Sequence, residues 1–394
     1  FRTGNILGWL VNTKTSTGKH KKILSISANP PGFRSLHFVV LITAMIILIL
    51  LGVVMVLSAS SVNDLRIFGD TWHHLKRQVL WLLLGLFSMA VMIRIDYRKI
   101  RKFSIPFLLF SLALCGLVLF PSVGITANGS ARWIGIGSFT FQPSEFLKIA
   151  IVIYLADLFS GSRKKTNVTI TSIKKFLLVL GTAAALLMLE PDLGTTAIIA
   201  AISLTVLFFS GFRLRNLLLM GISGITLLFA ASYSSGYRRK RLLGVLDPWQ
   251  DPTGIGWQAL QSAVAISQGG VSGLGLGESR AKWGFLPFSH TDFIFAIVAE
   301  ELGFIGACLV ILAFLSIGLA GLASAFKAPD NFGQLLAAGI TAWISIQAFV
   351  NLGAVLGMLP ITGVPLPFVS SGGSSLVVTM AAFGILLNVS RQTR

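Results

Sequence analysis

The sequence predicts an all-α integral membrane protein with about ten transmembrane helices and a large extracytoplasmic loop between the seventh and the eighth. Three observations carry that expectation. Hydrophobic residues fill 54% of the 394 positions and charged residues only 12%, against roughly 25% charged in ordinary soluble domains. Apolar stretches such as Phe38 to Leu57 and Phe103 to Phe120 reach or approach the roughly 20 residues that cross a hydrocarbon core about 30 Å thick. The basic residues recur in alternate connections. The segments 1–36, 94–102, 161–175, 211–215, 321–333 and 391–394 hold about two thirds of the Lys and Arg, as the positive-inside rule expects of cytoplasmic loops. Membrane topology therefore accounts for the net charge of +18, and no nucleic-acid partner is called for.

Taken in order, residues 1–36 read as a basic cytoplasmic tail without the apolar core of a signal peptide. Spans follow near 37–57, 78–93, 104–120, 145–160, 173–189, 193–210, 214–231, 293–319, 334–357 and 368–388. Residues 37–390 thus form one polytopic domain, and ten spans place both the tail and the C-terminal residues 391–394 in the cytoplasm. The fifth and sixth spans are parted at Pro191, whose ring interrupts a helix. The connection 232–291 is long enough to be functional or disordered. Trp249, Trp257, Trp283 and the periodic stretch from Trp257 to Ile266 make it too apolar for disorder, so re-entrant or interfacial helices over the bundle mouth are expected. Cys115 and Cys308 lie inside apolar spans as small hydrophobes, and no disulfide framework or zinc site follows.

Ionisable groups within or beside spans are costly, which makes them functional candidates or structural ion pairs. Six stand out: Arg132, Glu145, Lys148, Asp292, Glu300 and Glu301. Glu145 and Lys148 share a helix face three residues apart, a local pair, although Lys148 also suits an anionic ligand. Asp292 falls in the first turn of the eighth span, either as a helix-start acid with a lowered pKa or as a general base at the lipid boundary. Glu300 and Glu301 lie about 12 Å further along the same helix, where a basic partner on a neighbouring helix is expected. Two glycine-rich stretches remain. Gly269 to Gly277 lacks the preceding strand of a dinucleotide site and reads as close packing or backbone approach to a ligand. Pro365 to Ser375 reads either as a small-residue helix interface or as a broken helix lining a polar cavity. Walker A, GxSxG and HExxH motifs are missing from the sequence.

Several separated motifs converge. They include Arg132-Trp133-Ile134, Gln142-Pro143-Ser144-Glu145, Glu190-Pro191-Asp192-Leu193-Gly194-Thr195 and Asp247-Pro248. They continue with Gly254 to Ser262, Gly273 to Gly277, Phe285-Leu286-Pro287, His290 to Ala296, Glu300 to Gly303 and Ser371 to Ser375. In this order and spacing the sequence resembles the FtsW/RodA family, also called SEDS proteins. His290 before Thr291 and Asp292, the Glu301-Leu302 pair and the long tail are closer to its division-associated branch than to its elongation-associated one. Ser371 departs from the pattern, since many relatives carry Tyr there.

That resemblance implies a peptidoglycan glycosyltransferase of the bacterial cytoplasmic membrane, acting at the division septum and polymerising lipid II, a disaccharide-pentapeptide on undecaprenyl pyrophosphate. It implies Asp292 as the catalytic residue, activating the acceptor hydroxyl while undecaprenyl pyrophosphate leaves. Arg132, Lys148 and Lys282 would then stabilise the leaving anion, with a divalent cation left open and no metal ligands assigned. Gln258, Gln261, Ser262, His290, Ser370, Gly372, Gly373 and Ser374 are the expected substrate contacts. Glu145, Glu300 and Glu301 are expected in structural ion pairs. The implied partners are a class B penicillin-binding transpeptidase and other division proteins. A lipid II flippase and a non-enzymatic division scaffold are the competing readings.

Overall fold

The computed structural model describes residues 35–127, 130–136, 139–161, 168–233 and 236–393. The expected tail up to residue 34 and part of the basic 161–175 connection lie outside the described residues. Among the described residues thirteen α-helices follow one another: α1 (Leu36–Phe68), α2 (His73–Arg94), a single-turn α3 (Tyr97–Ile100), α4 (Ser104–Val118), α5 (Pro143–Ser160), α6 (Ile170–Leu189), α7 (Leu193–Phe209), α8 (Leu214–Tyr233), α9 (Gly236–Leu246), α10 (Trp257–Gly269), α11 (Ile294–Phe326), α12 (Asn331–Val355) and α13 (Ser374–Arg391).

Each of the ten expected spans coincides with a helix, although the last begins at Ser374 and not near residue 368. Eight of the described helical stretches are long and apolar enough to cross a membrane, α3 and α4 together forming one of them. The other two expected spans differ for simple reasons. α7 has only 17 residues, and α5 carries Glu145, Lys148 and Asp157 along its length. Both are buried among other helices rather than facing lipid. α12 and α13 are likewise mostly buried, whereas α8 contributes no buried residue. The apolar outer faces of α1, α8 and α11, with Leu50, Ile225 and Leu312 exposed, are what a lipid solvent requires.

Two features depart from the sequence expectation. A three-stranded antiparallel sheet, β1 (Gly124–Ala127), β2 (Ser130–Ile136) and β3 (Phe139–Phe141), joins α4 to α5. β1 and β3, with four and three residues, leave little alternation to announce them. Second, α1 does not stop near residue 57 but runs to Phe68, where Gly69 closes it in the left-handed conformation with φ 67°. Its polar last turns persist because Ser60 and Asp64 are buried and bonded to each other at 3.0 Å.

The long loop contains helices, α9 and α10, as expected, and its glycine-rich stretch has a specific role. Inside α11 the chain breaks at Gly303, with φ 67° and ψ −162°. The loop inserts there: Leu274 and Gly275 N–H donate to the carbonyls of Glu300 and Glu301 at 3.0 Å, while Phe304 N–H donates to Gly270 O at 2.9 Å. The broken helix thus has its free backbone groups satisfied from outside. Gly273 has φ 81°, and a Cβ there would lie 2.1 Å from Glu301 O. Gly273→Ala should therefore destabilise the fold by about 2–4 kcal/mol, read as a lowered unfolding temperature in detergent.

Candidate functional site

Asp292 stands on a short irregular segment immediately before α11. Three consecutive carbonyls of that segment are held by three different donors. Ser371 N–H reaches His290 O at 3.0 Å, Ser370 Oγ reaches Thr291 O at 2.6 Å, and Asn351 Nδ2 reaches Asp292 O at 2.8 Å. Ser370 Oγ also accepts the Leu366 N–H at 2.9 Å, so the Pro365–Ser375 stretch is a broken, polar-lined turn that clamps the Asp292 segment. Gly372 and Gly373 lie within this turn, and Gly373 adopts φ 48° to precede α13. Ser374 Oγ accepts the Gln142 N–H at 3.1 Å and ties the turn to α5.

Asn351 and Gln347 hold the other side of this turn. Asn351 Nδ2 also donates to Val364 O at 2.8 Å, and Gln347 Nε2 donates to Pro365 O at 2.9 Å. The sequence reading missed both residues, although two amides four apart on an apolar helix were a visible signal.

The N-cap of α11 is Phe293, so of the two readings of Asp292 the helix-start acid does not fit. Its pKa moves the other way: burial pushes the carboxyl up to about 6, with Arg241 and Arg132 pulling against it. Arg241 donates to Ile361 O at 3.3 Å and lines a cavity of about 420 Å³ enclosed by α9, α10, the end of α12 and residues 359–361. Ile361 belongs to that wall, and a side chain at Gly363, two residues on, would touch Asp292 Oδ2. Gln258 also lines the cavity, whereas Gln261 and Ser262 do not. Ser262 Oγ donates to Val355 O at 2.7 Å in a buried contact between α10 and α12.

The remaining candidate cations are engaged. Arg132, on β2, donates to Glu190 O at 3.2 Å and to Pro191 O, with Asp192 Oδ1 at 3.9 Å. It braces the α6–α7 turn. In that turn, burial and the neighbouring Asp192 push the Glu190 carboxyl up to about 8. Lys148 is fully buried; its Nζ meets Glu145 Oε1 at 2.8 Å and Gln347 Oε1 at 2.7 Å and lies over the Trp343 ring. This geometry supports a structural role for Lys148 instead of contact with an anionic ligand. Lys282 Nζ meets Glu301 Oε1 at 3.4 Å, Ser58 Oγ at 3.3 Å and Gly277 O. Glu301 therefore has its basic partner, but from the turn at Ala281–Trp283 and not from a neighbouring helix. Among the described residues Glu300 has no cation partner. It accepts the Arg280 and Ala281 N–H groups at 2.8 and 3.4 Å together with the Ser279 hydroxyl. Among the described residues no group of three or more His, Cys, Asp or Glu side chains is arranged to hold a metal.

A bundle of membrane helices with a clamped, half-buried carboxylate at the head of a broken helix, next to an arginine-walled cavity, defines a polytopic membrane protein with a buried polar site. The chain belongs to the FtsW/RodA/SpoVE family of cell cycle proteins, whose family model matches residues 38–394. It is 43% identical over 343 residues to the probable peptidoglycan glycosyltransferase FtsW of Geobacter metallireducens, covering 87% of this chain and 92% of that one. It is 41% identical to the stage V sporulation protein E of Bacillus subtilis, covering 90% and 97%. Among solved structures it is similar to a chain of a peptidoglycan synthase complex that coordinates polymerization and crosslinking, with TM-score 0.73, 31% identity and coverage of 89% and 96%. It is also similar to the rod shape determining protein RodA of Thermus thermophilus, with TM-score 0.67, 27% identity and coverage of 90% and 96%.

Proposed function

We propose that this protein is a peptidoglycan glycosyltransferase that polymerises lipid II, with Asp292 as general base. The observation that carries the reading is the triple clamp on the carbonyls of residues 290–292. It fixes the backbone of a carboxylate whose pKa, near 6, suits proton abstraction at neutral pH.

In the proposed reaction the carboxylate of Asp292 takes the proton of the acceptor sugar's 4-hydroxyl. The freed oxygen forms a bond to the donor's anomeric carbon, and the bond from that carbon to the pyrophosphate breaks with inversion. The electron pair departs with undecaprenyl pyrophosphate. Arg241, in the cavity wall, is the cation best placed to meet the leaving anion, and Arg132 adds its charge to the field at Asp292. The geometry thus favours Arg241 over the Lys148 and Lys282 expected from sequence.

In this reading both termini are cytoplasmic, residues 232–291 face outward, and the protein works at the division septum with a class B penicillin-binding transpeptidase. The related synthase complex supports such a partner. The test is to incubate the purified chain and its transpeptidase, blocked with a β-lactam, with lipid II and to resolve the products by gel. Glycan ladders are expected. Translocation of lipid II across vesicles without ladders would instead establish a flippase.

A further inference from the structure

Beside the Asp292 segment, two helices contribute ionisable side chains that the proposed chemistry does not use. Asp64, in the last turns of α1, is fully buried. Its carboxylate accepts the Ser60 hydroxyl at 3.0 Å and the His74 N–H at 2.9 Å, and it meets Nδ1 of the His74 ring. The His74 ring in turn lies 4.6 Å from the His290 ring, centroid to centroid. His73 is stacked on Phe68 at 3.9 Å, with its ring 5.6 Å from that of His74. Among the described residues the titratable groups that act on His290 are Asp64 from α1 and His74 from α2, with His73 next to His74 and Asp292 two residues further along the chain. The 370–373 turn brings only hydroxyls and backbone N–H groups.

A buried carboxylate bound to one imidazole nitrogen fixes the orientation of that ring. Two imidazoles this close cannot both be charged without mutual repulsion. Burial, and next His74, lower the pKa of His290 to about 4. A protonated His290 would place a cation two residues from Asp292, favouring the carboxylate's charged form and weakening it as a base.

We propose that Asp64 and His74 are positioning residues for the glycosyl transfer: anchored by Asp64, the His74 ring holds His290 in place as a neutral imidazole against the segment that carries Asp292. This inference rests on the functional reading above. It assigns a task to residues of α1 and α2, neither of which carries a residue of the proposed reaction.

The experiment measures lipid II polymerisation by the full chain between pH 5 and 9 for wild type, His74→Phe and His74→Gln. The first variant keeps a ring without nitrogens, and the second keeps a donor for Asp64 without a ring. Both should lose about tenfold in kcat with KM little changed, as expected when a reacting group is slightly misplaced. Their acidic limb should move below that of wild type by about half a pH unit, because His290 can now take a proton beside Asp292. Adding His290→Asn to either variant should return the limb to its wild-type position. A limb that stays in place, or failure of both single variants to fold, would overturn the proposal and leave the pair as packing. Absence of glycan from wild type would instead overturn the functional reading.

Discussion

Replacing Asp292 by Asn should lower glycan synthesis by about a thousandfold, within the range lost with a general base, while leaving the fold as stable as before or more so. The second half of this expectation follows from the direction of the pKa shift. Burial raises the folded-state pKa to about 6, above the ordinary carboxylate value of 3.8. The folded chain therefore holds this proton more tightly than the unfolded one. The stability gained from it is complete below the ordinary carboxylate range and is lost as pH rises through about 6. At pH 7.5 the ionised carboxylate works against folding, and the neutral amide removes that penalty. An inactive variant with an unchanged or raised unfolding temperature is thus expected, together with a wild-type rate that climbs through about pH 6 to a plateau. An Asn variant retaining a tenth of the activity would show that the proton goes elsewhere.

The helical membrane architecture was legible in the sequence because apolar run length is a strong and local signal. The ten expected spans all became helices, and the long loop contained α9 and α10. The sheet between α4 and α5 was not legible, since its strands pair only with each other and β3 has just three residues. Asp292 drew attention through its position before an apolar run and the family motif around it. What holds it was not found: Asn351 lies 59 residues away in sequence and Ser370 lies 79 away from Thr291, and only tertiary packing joins them. The expected direction of its pKa was wrong for the same reason, because a helix-start argument is local and burial is not. His74 and Asp64 escaped notice because α1 was expected to end before Asp64, which placed both residues in a loop instead of beside His290.

The second large effect concerns Lys148, which two readings of the site treat in opposite ways. Within the buried network, Lys148→Met leaves Glu145 with only the Ser375 hydroxyl, at 3.0 Å, where it had an ammonium at 2.8 Å. Removing one member of a buried pair strands the other charge away from water and costs about 3–5 kcal/mol. A large drop in the unfolding temperature in detergent is therefore expected. Changing Glu145 to Gln in the same chain removes the stranded charge and should recover most of the loss. If Lys148 instead gripped a pyrophosphate directly, the single variant would fold normally and show a raised KM, and the second substitution would rescue nothing. The amine's position, with Gln347 Oε1 at 2.7 Å and the Trp343 ring centroid at 5.0 Å, leaves it no route to a ligand that does not first dismantle this network. Loss of activity should accordingly follow loss of folded protein. Gln347 also holds Pro365 O, so the turn that clamps the Asp292 segment should loosen in the same variant, making Lys148 a structural support of that segment.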